Sequence, residues 1–101
     1  MAFLAIAIFE VKKGREEECL SLCRALYAYL HEKGYSQDVL YRDSRKPRTY
    51  FDIRMWASKA SAVNAHQDPE VQKFWARLSK VSKVKKVHDL EKLPPDVELL
   101  V

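Results

Sequence analysis

The 101 residues amount to one domain, and a domain of this size buries only about 60–68% of the surface that its unfolded chain exposes. Apolar residues make up 48% of the chain and include two Trp, five Tyr and four Phe, more than so small a monomer hides easily, so a homodimer is expected. Eighteen basic against 14 acidic residues leave a formal charge of +4, dense only in RDSRKPR (42–48) and KVSKVKK (80–86), an excess that permits an anionic partner without requiring one.

The first segment, MAFLAIAIF, starts with no basic residue and stops at Glu10, which marks a buried strand and not a secretion signal. No stretch approaches the roughly 20 apolar residues of a membrane span. Residues 2–11 are apolar on both alternations, as in a central strand covered on both faces. After Lys12-Lys13-Gly14 the period changes. Cys19, Leu22, Cys23, Leu26, Tyr27 and Leu30 recur at three- and four-residue spacings, behind Glu16, Glu17 and Glu18, where a helix dipole favours anions. This predicts a helix from Arg15 to about Lys33, closed by Gly34. Cys19 and Cys23 share its face and read as small core hydrophobes, not as a disulfide or metal pair. Reduced thiols and the lack of a signal pattern point to a cytoplasmic protein.

Residues 36–43 and 48–56 predict a hairpin turning through Ser44–Pro47. Ser58 offers an N-cap for a helix to about His66 or Gln67, and Asp68, Pro69 and Glu70 start a second helix at once, running to about Ser79. A last strand is expected near 83–90, before Pro94-Pro95, and 91–101 form a tail expected to pack on a partner subunit. The order strand, helix, strand, strand, broken helix, strand is the split βαβ pattern. It gives an α+β, ferredoxin-like fold, with a four-stranded antiparallel sheet and helices on one face. The other face of an apolar central strand needs cover, and a second sheet of the same kind supplies it.

Five features lie collinear over about residues 3–88: the KKG turn, GY followed by LYRD, an aromatic strand ending WAS, S-x-x-S-x-x-x-A-H, and D-P-E-V-x-x-F-W. Together they resemble the antibiotic biosynthesis monooxygenase family of small dimeric α+β barrels. The resemblance implies a pocket between sheet and helices and, in active members, oxidation of phenols or quinols by O2 without metal, flavin or other cofactor. Such chemistry asks the protein for a base, an apolar cage and exclusion of water.

His66 is then the candidate base, since imidazole accepts a proton near neutral pH. The bland reading is that a helix-end histidine only meets the last carbonyls and the dipole. Trp56, Tyr50, Asn64, Phe74 and Trp75 are the candidate substrate contacts, each of which could instead be core or, for Asn64, solvated. Asp52, Arg54 and Arg42 suggest an Arg–Asp network at a dimer interface ahead of a substrate clamp. His31 and His88 are expected at the surface. Three alternatives stand beside the oxygenase. One is a non-catalytic dimer of the same fold that binds a small aromatic ligand. Another is a haem-binding member, in which haem cleavage is disfavoured because strand one holds Ala5, Ile6, Ala7 and Ile8 where the haem-degrading branch has an Asn, while weak haem binding stays open. The third is an RNA-binding module, disfavoured because RTYFDIRMW lacks the expected glycine and carries Asp52.

Overall fold

The computed structural model describes the backbone of residues 3–90 and the side chains of residues 3–85; the expected tail lies outside the described residues. The elements are β1 (Phe3–Val11), α1 (Glu16–Glu32), β2 (Ser36–Arg42), β3 (Thr49–Trp56), α2 (Lys59–Gln67), α3 (Pro69–Val81) and β4 (Ser82–Leu90). The strands pair antiparallel in the order β2-β3-β1-β4, the ferredoxin-like sheet that the element order predicts. Each predicted boundary is met within two residues. β1 opens at Phe3, and α3 continues past Ser79 to Val81.

Local chemistry accounts for the breaks. Gly34 adopts a φ of +73°, and the amides of Gly34 and Tyr35 donate to the carbonyls of His31 and Leu30, which ends α1 in a left-handed turn. Ser58 Oγ accepts from the Ser61 amide at 3.0 Å to start α2. Asp68 Oδ1 accepts from the Glu70 amide at 2.9 Å to start α3, with Pro69 at its first position. The phenols of Tyr29 and Tyr35 donate to Asp68 Oδ2 at 2.8 and 3.0 Å, so the kink between α2 and α3 is tied to α1 and to the start of β2. Accepting those bonds lowers the Asp68 carboxyl, although its partial desolvation pulls the other way, and the bond raises Tyr29 to about 12.

Alternation along the strands sorts the sheet into two faces. Ala7, Phe9 and Val11 of β1, with Tyr50, Asp52, Arg54 and Trp56 of β3, face the helices. There Leu26 and Leu30 of α1 and Val71 of α3 are fully buried, each contributing about 1.5–3 kcal/mol by leaving water. The opposite face pairs Leu4 with Met55, Ile6 with Ile53 and Ile8 with Phe51 across β1 and β3. Val39 and Tyr41 of β2 extend that apolar surface, at 51% and 55% exposure. Asp52 therefore points to the helices. It is not placed to meet a phosphate backbone, as the argument against RNA binding required, and apolar side chains occupy the open face.

Candidate functional site

The inward side chains of β1 change size along the strand. Phe9 and Val11 fill the space under α1, whereas Ala7 leaves a gap. A cavity of about 460 Å³ opens over Ala7 and Phe9, between β3, α1 and α3. Leu26 and Tyr27 of α1, Trp75 and Leu78 of α3 and Val84 of β4 make its walls, and His66 stands at its edge. Most of this lining is apolar, as expected for a small-molecule pocket.

His66 has a defined hydrogen-bonding state. Its Nδ1 lies 2.7 Å from the Ala62 carbonyl, and because a carbonyl oxygen can only accept, Nδ1 carries the hydrogen. In the neutral ring Nε2 then holds the lone pair. Ala62 lies one turn before the last carbonyls of α2, so this is not the contact that the helix-end reading expects, and it uses one nitrogen only. The carbonyl of His66 itself accepts from Gln72 Nε2 at 2.9 Å, so the imidazole is not needed there. The ring centroid is 4.8 Å from that of Trp75 and 5.8 Å from that of Trp56. His66 also borders a second cavity of about 430 Å³, with Phe3, Trp56 and Val63.

The other candidates are scattered. Trp75 shares the main cavity with His66. Trp56 is buried behind His66 and lines the neighbouring clefts instead. Tyr50 is core, edge-on to Phe9 with centroids 5.7 Å apart, and borders a separate cleft with Leu20 and Leu40; burial raises its phenol. Phe74 packs against Tyr29 in the second core cluster. Asn64 is exposed on α2 and lines none of the described cavities. Among the described residues no three His, Cys, Asp or Glu side chains cluster as metal ligands.

Sequence reasoning missed the floor of the cavity. Arg54 Nε donates to Asp38 Oδ2 at 2.6 Å and Arg54 Nη2 to Asp52 Oδ2 at 3.0 Å, and both Asp52 and Arg54 line the cavity. The exposures of the three side chains are 0% for Asp38, 8% for Asp52 and 12% for Arg54. The Arg–Asp network expected at a dimer interface is thus on the helix-covered face, inside the subunit, and Arg42 lies exposed at the end of β2. The guanidinium sits 5.1 Å from the Trp56 ring centroid and 5.9 Å from that of Tyr27, which spreads its charge over aromatic faces. Burial, reinforced by the Asp38 carboxyl, raises Asp52 to about 8 against the opposing pull of Arg54. Burial and the Asp52 charge hold the Tyr27 phenol far above its usual range. The hydrogen bond with Cys23, and burial, do the same for the Cys19 thiol; both cysteines are free and buried. The signal available in the sequence was the spacing. Asp52 and Arg54 stand two apart between Tyr50 and Trp56, so one strand face carries all four.

A family model described as antibiotic biosynthesis monooxygenase matches residues 2–77. Among solved structures, SnoaB from Streptomyces nogalater, a cofactor-independent oxygenase, superposes with a TM-score of 0.77 at 18% identity, over 94% of this chain and 98% of that one. A Mycobacterium tuberculosis protein superposes with a TM-score of 0.80 at 14% identity, over 96% and 100%. A Bacteroides thetaiotaomicron protein of unknown function does so at 0.80 and 8%, over 88% and 95%. At these identities the likeness is one of fold. No curated protein matches the chain significantly.

Proposed function

The chain belongs to the antibiotic biosynthesis monooxygenase family, and on that premise we propose that it is a homodimeric, cofactor-independent oxygenase that oxidises a small phenol or quinol with O2. One observation carries the reading: the Ala62 carbonyl fixes the proton of His66 on Nδ1 and leaves the lone pair on Nε2, in a residue exposed at the edge of an apolar cavity walled by Trp75. Nε2 takes the phenolic proton. The phenolate is electron-rich enough to reduce O2 itself once water is excluded. For a phenol the balance closes without a further reductant. A ring C–H becomes C=O, the second oxygen leaves as water with the two hydrogens, and the substrate supplies all four electrons.

The dimer half of the reading rests on the open sheet face, where Leu4, Ile6, Ile8 and Ile53 are half-buried and Met55 is exposed, with no helix packed over them among the described residues. The test is oxygen uptake by metal-stripped protein with a panel of dihydroxy-aromatics and quinols, measured against the rate without enzyme. Uptake above that background, falling about 100-fold or more in His66→Ala, supports the proposal. Uptake at background across the panel favours a non-catalytic dimer that binds an aromatic ligand in the same cavity. No helix among the described residues is long and apolar enough to cross a membrane.

A further inference from the structure

The base at the cavity edge leaves the charged floor unexplained. Arg54 offers one positive charge to two carboxyl groups, and all three side chains are at least 88% removed from solvent. Two ionised carboxylates beside one guanidinium would strand a buried negative charge, so one of the pair holds a proton. The hydrogen bonds identify which. Asp38 accepts from Arg54 Nε at 2.6 Å on one oxygen and from Ser36 Oγ at 2.9 Å on the other, the donor set of an ionised carboxylate. Asp52 accepts only from Arg54 Nη2, and its Oδ1 is buried with no donor at all. Asp52 is the acid, and it lines the cavity.

We propose that Asp52 is the polar anchor of the cavity: a neutral carboxylic acid, set among Asp38, Arg54 and Tyr27, that donates a hydrogen bond to a carbonyl or quinol oxygen of a planar aromatic ligand. Around it stand Ala7, Phe9, Leu26, Trp75 and Leu78, which suit fused aromatic rings, and the Ser79 and Ser82 hydroxyls that also line the cavity donate to the Ala76 and Leu78 carbonyls, which leaves the oxygen at the ring edge to Asp52. The substrate class narrows accordingly from any small phenol to quinones, hydroxyquinones and their quinols. This rests on the oxygenase reading only for the link to turnover, since the anchor binds ligand whether or not O2 reacts.

The pH behaviour follows from the groups that face Asp52. They are Asp38 from β2, Arg54 from β3, Cys23 and Tyr27 from α1, and His66 across the cavity. Among the described residues β1, α3 and β4 bring no charged side chain to the cavity wall. Burial and Asp38 keep Asp52 protonated to about pH 8, above which it can no longer donate.

The test is binding of 9,10-anthraquinone-2-sulfonate and anthracene-2-sulfonate, a pair differing in the ring carbonyls, followed by quenching of tryptophan fluorescence. Below pH 7 the wild type is expected to prefer the quinone about tenfold, the worth of one good hydrogen bond, and to lose that preference as pH rises through about 8. Asp52→Leu loses it at every pH. Asp52→Asn, which keeps an N–H donor, retains it at pH 9. An equal preference in wild type and Asp52→Leu, a wild-type preference independent of pH, or no binding of either probe overturns the proposal. Should the variants fail to fold, carboxyl carbon NMR of aspartate-labelled wild type decides alone. One aspartate must titrate near pH 8 and move higher with the quinone bound. Oxygen uptake enters none of these readouts. Protein without turnover can therefore pass, and turnover lost in His66→Ala can coexist with failure here.

Discussion

A buried acid that stays protonated four units too long must leave a mark on folding. Unfolded, Asp52 loses its proton near its ordinary value of 3.8, whereas the folded chain holds it to about 8. Between those values the native state binds more protons than the unfolded one, so stability is full below pH 4 and declines as pH rises, until Asp52 ionises in both states above 8. Each unit costs about 1.4 kcal/mol, giving a ceiling of about 5–6 kcal/mol over the window. For a domain with a total stability of about 5–15 kcal/mol, that loss would be measurable and could be decisive. Asparagine at position 52 cannot titrate. Urea denaturation of wild type and Asp52→Asn at pH 5, 6, 7 and 8, at one fixed protein concentration, should give curves whose stability difference moves in favour of the variant by up to about 4 kcal/mol across the series. Parallel pH profiles for the two proteins would refute the assignment of the proton to Asp52.

Removing the cation instead should be severe. Arg54→Ala leaves Asp38 and Asp52 buried without their common partner and is expected to cost about 3 kcal/mol at pH 7, read from the urea midpoint; a loss below about 1 kcal/mol would show that water reaches the cluster. Leu30, with 0% exposure under α2 and α3, is a packing control remote from protonation. Leu30→Ala should lower stability by about 2–5 kcal/mol with no change in the pH slope. On the outer face, Ile53→Asp sets a carboxylate between Ile6 and Val39. It is expected to convert a dimer to a monomer in sedimentation velocity while leaving the far-ultraviolet circular dichroism intact; an unchanged sedimentation coefficient would place the interface elsewhere.

The fold was legible because its punctuation is local. Gly34, Ser58 and the Asp68-Pro69 step each end or start a helix through the residue's own backbone chemistry, and period two assigned Tyr50, Asp52, Arg54 and Trp56 to one face of β3. What that face meets is not local. Asp52 becomes an acid only because β2 delivers Asp38 beside it, 14 positions earlier in the sequence, and because Ala7 leaves a cavity in place of packed core. The same limit applies to the tyrosines. Nothing in the spacing of Tyr27, Tyr29 and Tyr35 separates them. Yet the fold sets Tyr27 on the cavity wall and joins the other two at Asp68. His66 was legible as a position, at a helix end before a second start. Its protonated nitrogen was not, since that follows from the distance to Ala62.

An ion cluster in a thin core needs a reason, because stability alone does not supply one. Replacing a buried ionic group with apolar side chains of similar volume is often neutral or stabilising by about 1–4 kcal/mol. This domain, with small Ala7 under the cavity, has little core to spare. The triple variant Asp38→Leu, Asp52→Leu, Arg54→Met removes both acids and the cation together and so strands no charge. If the cluster is retained for the ligand, this variant should unfold at the same or higher urea concentration than wild type at pH 7, still bind anthracene-2-sulfonate, and show no preference for the quinone. If instead the cluster fixes the register of β2 on β3, where Asp38 lies opposite Arg54, the variant should lose cooperative unfolding and bind neither probe. Cooperativity and selectivity then separate a structural clamp from a binding site in one protein, without reference to turnover.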